Sequence, residues 1–241
     1  MEEVYVMKVR IKFKKYGAMK FIGHLDIMRY FQKAMRRAEI PIAFSGGYSP
    51  HMIMSFANPL GVGVTSEGEY FDIEITEPIS SKKAVEQLNG AMVEGMEVVS
   101  FLEIPDDKKK TGMAIVAAAD YLSTLRQGEY PSNWKEKAEQ FLSQDEIVVL
   151  KQTKKSEKEV DIKPLIYKFE VRDESIYMQV ATGSVENLKP GLVMEAFAQY
   201  LGLEKEKVKF AHHRLEVYAD IGTEENRNLV SLESLGKEIE A

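Results

Sequence analysis

The sequence predicts an α+β chain of two ferredoxin-like (βαββαβ) halves with antiparallel sheets, and three observations lead there. Residues Val4 to Lys14 alternate strictly, with Tyr5, Met7, Val9, Ile11 and Phe13 on one side and Lys8, Arg10, Lys12 and Lys14 on the other, the period of a strand with one buried face. From His24 to Ala38, the residues Leu25, Met28, Phe31, Met35 and Ala38 recur at three- and four-residue spacing, which predicts an amphipathic helix. After a charged run from Pro105 to Lys110 the same order of elements begins a second time.

Each element follows from local chemistry. Pro41 forbids the first helix from continuing. Two β-like stretches, Ile42 to Ser45 and Met52 to Ala57, flank a turn-rich insert. Tyr70 to Thr76 alternates again, with Phe71, Ile73 and Ile75 expected inward and Asp72 and Glu74 outward. Ser80 and Ser81 are candidate caps for a helix reaching about Met92, and Met96 to Ile104 closes the first half as a strand. The second half reads as a strand from Met113 to Leu125, a helix from Asn133 to Leu142 and strand material at Ile147 to Thr153 and Tyr167 to Val171. A strand from Ile176 to Ala181, a helix from Pro190 to Tyr200 and a strand from Val208 to Tyr218 complete it. Thr153 to Lys163 is a charged hairpin or loop without a fixed register. The expected division is a first half at 1–104, a linker at 105–112, a second, looser half at 113–222 and an acidic tail at 223–241 with a short helix near its end.

Composition narrows the function. The 241 residues include no cysteine, which removes disulfides, thiol nucleophiles, thiolate zinc sites and a self-ligated iron-sulfur cluster. The four histidines, at 24, 51, 212 and 213, are too scattered to make a metal site without carboxylates, so neither metal nor cofactor is expected. No apolar run approaches the roughly 18 residues that span a bilayer, and Met1-Glu2-Glu3 opens unlike a secretory signal. The expectation is a soluble, cytoplasmic protein with no membrane partner.

Charge is unevenly spread. Residues 1–60 hold ten basic and four acidic side chains, a net of +6, while the other 181 hold 22 basic and 34 acidic, a net of −12. At 100° per residue Arg29, Lys33, Arg36 and Arg37 gather on the outer side of the first helix. That face suits an anion, although an internal match with the acidic remainder explains the asymmetry equally well. The Lys8, Arg10, Lys12 stripe is better explained by cross-strand ion pairs to Asp72 and Glu74. With only Tyr70 as an aromatic residue on those strands, the sheet is a poor base-stacking platform.

No P-loop, dinucleotide fingerprint, zinc-helix motif or nucleophile elbow is present. Two places draw attention. His24 and Asp26 open the first helix, where Asp26 complements the dipole and His24 either covers the core or contacts an anion. Ser45, Gly46, Gly47, Tyr48, Ser49, Pro50 and His51 put mobile backbone, hydroxyls, an aromatic ring and an imidazole into seven residues, the parts of a loop that wraps a phosphate or stacks a base. The expected ligand-binding residues are therefore His24, Asp26, Ser45, Gly46, Gly47, Tyr48, Ser49 and His51, with phosphate as the ligand. His212 and His213 are neighbours on a strand, face opposite ways and are read as structural.

Phe21-Ile22-Gly23-His24-Leu25-Asp26, Arg29, Arg36-Arg37, the run from Phe44 to His51 through Ser55-Phe56-Ala57, and Gly68-Glu69-Tyr70-Phe71-Asp72 together resemble the bacterial radical SAM-linked family of uncharacterised function. The resemblance is specific over about residues 8 to 76, and Arg214 to Tyr218 resembles that family's C-terminal segment. Members occur as separate chains or fused behind radical SAM proteins, which implies a radical SAM partner. The family supplies no catalytic residues. Paired ferredoxin-like halves with a Gly-rich loop are also similar, by fold analogy alone, to CRISPR repeat-processing endonucleases. The expected function is a non-catalytic accessory protein that presents RNA or another phosphate-bearing ligand to a radical SAM enzyme. The competing readings are a metal-independent RNA-processing enzyme using His24 or His51, and a pure protein-protein docking module.

Overall fold

The computed structural model describes residues 6–152, 157–223 and 226–240; the predicted positions at 1–5, 153–156, 224–225 and 241 lie outside them. The chain is α+β, its strands pair mostly antiparallel, and it forms two compact units, 1–117 with 216–241 and 118–215. This division differs from the expected one. The segment 105–112 and the acidic tail both belong to the first unit, because they bury its polar groups.

In the first unit β1 (Met7–Lys15) pairs with β3 (Thr65–Ile75) and with β4 (Met96–Glu103), and the short β2 (Met54–Phe56) pairs with β3. Val9, Ile11 and Phe13 enter the core beside Phe71, Ile73 and Ile75, as alternation requires. Against this face lie α1 (His24–Arg37) and α2 (Ser81–Gly90). The inward arc of α1 is Ile27, Phe31, Ala34 and Met35. Leu25, expected inward, is 60% exposed, because it sits about 200° around the helix from Ile27.

The end of α1 is a Schellman motif. Ile40 N–H donates to Met35 O, Glu39 N–H donates to Arg36 O, and Met35 and Ile40 meet in the core. Glu39 sits at the left-handed position, with φ of 52°, where glycine is the unstrained residue.

The other face of β1 and β3 carries the polar residues, and it is buried too. Arg10 lies opposite Asp72 in register and makes a two-pronged bond to it, Nε to Oδ1 at 2.8 Å and Nη2 to Oδ2 at 3.0 Å. The remaining guanidinium donors reach Lys110 O at 3.0 Å and Leu232 O at 3.4 Å, while Gly112 N–H donates to Asp72 Oδ2 at 2.7 Å. A Cβ on Gly112 would come within 3.0 Å of Ala57 Cβ, so a glycine permits this approach. Asp72 is thus corrected from outward to buried. Of the expected cross-strand pairs only Arg10–Asp72 forms: Lys8 Nζ meets Asp106, and Lys12 Nζ lies 2.8 Å from both Glu216 and Glu233.

The tail is a strap, not a free end. Its β11 (Leu229–Ser231) pairs with the end of β10 (Lys209–Asp220), Leu232 and Ile239 are buried, and Lys237 exchanges two backbone bonds with Glu103. Ile239 then caps α2: its carbonyl accepts from Ser81 N–H and its N–H donates to Ser81 Oγ. The predicted helix near the chain end is a single turn, Glu233–Leu235.

The second unit begins after a short helix, α3 (Gly112–Ile115), that occupies the start of the predicted strand at Met113. In it β5 (Val116–Gln127) pairs with β9 (Ser175–Ala181), which pairs with β8 (Ile166–Arg172); β5 also neighbours β10. The charged stretch after Ile147 contributes a hairpin of β6 (Val148–Gln152) and β7 (Glu157–Asp161). Helices α4 (Trp134–Gln140) and α5 (Pro190–Tyr200) supply Trp134 and Phe197 to a core where Phe141, Phe169 and Phe197 have ring centroids 4.7 to 5.2 Å apart. No described helix is long and apolar enough to cross a membrane.

Two stability predictions follow from named bonds. Asp72→Asn leaves the buried Arg10 charge uncompensated and should cost about 3–5 kcal/mol in urea unfolding, whereas Arg10→Met with Asp72→Leu should cost much less. Glu39→Gly should stabilise the protein by about 0.5–1 kcal/mol by relieving the left-handed residue; an unchanged or lower midpoint contradicts the strain assignment.

Candidate functional site

The insert from Ser45 to His51 projects from the first unit between two anchored strands. Its base is fixed: Phe44 bridges Met52, Ser45 N–H donates to His51 O at 2.8 Å, and Ile53 N–H donates to Ala43 O at 2.9 Å. Gly47, with φ of 95°, makes the reversal that an L-residue with a side chain resists. Tyr48 follows at the tip and is fully exposed. The ring contributes nothing to any core.

Ser45 and His51 are locked together. Ser45 Oγ lies 2.8 Å from His51 Nδ1 and accepts the His51 N–H at 3.1 Å. When the hydroxyl gives its proton to Nδ1, the neutral imidazole carries its own proton on Nε2. An exposed ring in that form offers an N–H donor, which suits a phosphate or carbonyl oxygen. It does not offer a free base at Nε2.

His24 and Asp26 take partners outside this loop. His24 is half-buried, edge-on to Phe56 with centroids 5.1 Å apart, which is the core-covering role weighed from sequence. Asp26 is exposed, and its Oδ1 accepts from Arg29 at 3.3 Å one turn on, a weak surface pair. Among the described residues no hydrogen bond, ion pair or ring contact joins either one to the loop. The eight predicted residues therefore divide into six in the loop, Ser45, Gly46, Gly47, Tyr48, Ser49 and His51, and two at a helix start.

On α1, Arg29, Lys33, Arg36 and Arg37 are all exposed, and Arg37 also donates to Ala91 O at 3.0 Å. The β1 cations, in contrast, are engaged. Burial works to lower the Lys12 ammonium's pKa, yet its bonds to Glu216 and Glu233 prevail and hold it above the ordinary value. Tyr70 donates to Glu216 Oε1 at 2.7 Å, and burial, reinforced by that carboxylate, pushes its hydroxyl far up. This network was not legible from spacing, because Glu216 and Glu233 come from the far end of the chain. Phe44, beside the loop, is 50% exposed. A cleft of about 440 Å³ elsewhere in the unit, lined in part by Glu39, Glu77, Lys83 and Gln87, takes none of the predicted residues. No group of three or more metal-ligating side chains occurs among the described residues.

In the second unit His212 Nδ1 lies 2.8 Å from the buried Ser123 Oγ, and Gly191 at the start of α5 packs near its Nε2. Burial lowers the His212 pKa below the usual histidine range.

The fold and loop define an α+β protein with a glycine-bearing surface loop and a cationic helix in one of two compact units. The chain belongs to the DUF2344 family, uncharacterized proteins conserved in bacteria, whose profile matches residues 8–190. Among solved structures it is similar to a chain of a Cbf5–Nop10–Gar1 complex, at 11% identity and a TM-score of 0.45, covering 87% of this chain and 48% of that one. It is also similar to an unknown protein from Galdieria sulphuraria, at 9% identity and a TM-score of 0.27, covering 87% of this chain and 99% of that one. The chain thus spans about half the length of the Cbf5-complex chain. No curated protein matches.

A pH prediction follows from His212. Its folded pKa lies below the unfolded value, so the stability it contributes is full above about pH 6.5 and is lost as pH falls through the folded pKa. Urea unfolding at pH 7.5 and pH 5.5 should show a smaller loss on acidification for His212→Gln than for the parent. Equal losses exclude His212 as a contributor.

Proposed function

We propose that the protein is a non-catalytic RNA-binding accessory subunit, working in the cytoplasm beside a radical SAM enzyme. The observation that carries the reading is Tyr48: a fully exposed ring, held at the tip of a hydrogen-bonded loop, next to a Ser45-fixed imidazole. A base stacks on the ring, the His51 Nε2–H and the hydroxyls of Ser45 and Ser49 meet phosphate oxygens, and the α1 cations follow the backbone. The aromatic ring favours RNA over a bare phosphate ligand, which would have no use for it.

When Nδ1 accepts the Ser45 hydroxyl proton, the His51 Nε2–H is a donor and not a base, a form that supports binding over RNA cleavage. The radical SAM partnership rests on the resemblance of residues 8 to 76 to that linked family, and on the absence of any cysteine to hold a cluster here. Strand adjacency β4-β1-β3-β2 in the first unit and β10-β5-β9-β8 in the second supports reading each as ferredoxin-like.

Fluorescence anisotropy with a labelled single-stranded RNA of mixed sequence tests this. Tyr48→Ala should weaken binding by about 1–3 kcal/mol and leave the salt dependence unchanged. Arg36→Glu with Arg37→Glu should weaken it at low salt and flatten the slope of log K against log salt by roughly 1 to 2. RNA binding that neither variant alters would overturn the interface.

A further inference from the structure

We infer that the end of the first unit where β1 ends and β3 and β4 begin, on which Phe21, Leu25 and Val62 stand exposed, docks an acidic segment of a partner protein that carries apolar anchors. Phe21, Leu25 and Val62 are 66%, 60% and 62% exposed, and Tyr16 and Val93 on adjoining turns are 40% and 48% exposed. These positions are tied into one surface. Gly63 N–H donates to Lys20 O at 2.8 Å, Ile22 N–H donates to Met19 O, Met19 N–H donates to Tyr16 O, and Tyr16 N–H donates to Gly95 O at 2.9 Å.

The fold has no need of these side chains. The turn from Gly17 to Phe21 buries none of its residues, and Val62 stands between two glycines on an exposed loop. A polar residue at each place would serve the chain equally well, whereas bulky apolar groups held in water are unfavourable until something covers them. Single exposed apolar residues are ordinary; several joined by short backbone bonds are not.

Charge selects the occupant. Lys20 Nζ lies 5.1 Å over the Phe21 ring, and Leu25 is followed at four-residue spacing by the exposed Arg29 and Lys33. Between Phe21 and Arg37 there are four cations and one carboxylate, Asp26, which is paired with Arg29. With Lys20 over Phe21 and the exposed Arg29 and Lys33 one and two turns beyond Leu25, cations outnumber the exposed carboxylates Asp26 and Glu94, which fits a segment with apolar side chains flanked by Asp or Glu. It shares α1 with the RNA reading but does not depend on it, since no residue of the Ser45–His51 loop takes part.

Site-specific photocrosslinking of the full chain in bacterial cells tests it, with a benzophenone amino acid at Phe21, Leu25 or Val62 and a control at Val185, which is 95% exposed in the other unit. The expected result is a discrete protein adduct from the three positions and none from Val185, with the crosslinked peptide mapping by mass spectrometry to an acidic segment containing apolar residues. Lys20→Glu with Lys33→Glu should lower the adduct yield by about tenfold. Adducts to a second copy of this chain, to RNA or to lipid, or yields no higher than at Val185, overturn the inference. RNA affinity measured on Phe21→Ser with Leu25→Ser separates the two readings: it should be unchanged even when the adduct is lost.

Discussion

A buried guanidinium dictates how the first unit closes. Arg10 is 1% exposed, and a cation without water is tolerated only when a carboxylate and carbonyl oxygens replace its hydration shell. Those oxygens come from three distant places: Asp72 on the adjacent strand, Lys110 before the second unit, and Leu232 near the chain end. Satisfying one side chain therefore draws the inter-unit segment and the C-terminal strap onto the same sheet face. The strap continues to α2, whose first N–H is met by Ile239 O in place of a side-chain cap. A helix terminus, an edge strand and a buried ion pair thus share one covering segment.

The same closure decides where recognition can occur. Among the described residues, the polar face of this sheet commits Arg10, Asp72, Lys12, Tyr70, Glu216 and Glu233 to bonds within the chain and so withholds them from a nucleic acid. Other groups stand in solvent, among them the α1 cations and the Tyr48 ring at the loop tip. A single exposed ring together with a cationic helix is a modest interface. It suits a subunit that presents a strand to another protein more than one that grips it alone.

Much of this was legible in the sequence, for reasons tied to period. Strict alternation from Met7 onward and the apolar repeat through Phe31 and Met35 found β1 and α1, because long amphipathic elements repeat their signal. The strap escaped because β11 has three residues, too few to show a period, and because Leu232 and Ile239 are seven apart amid polar neighbours. Asp72 looked solvent-facing since alternation tells which side a residue takes and not whether that side is covered. The loop's chemistry was readable from composition, but the bonds that tie Ser45 to His51 were not. Spacing along a chain does not say where two loops meet.

The most direct test is where RNA touches the chain. Irradiation of the full-length protein with an RNA oligonucleotide carrying 4-thiouridine, followed by proteolysis and mass spectrometry, reads the contact residue by residue. The predicted result is crosslinking within the peptide that contains Tyr48 and His51, with secondary contacts on α1 between Arg29 and Arg37. Crosslinks confined to the second unit, or none above those of a protein lacking the Ser45–His51 loop, would contradict it.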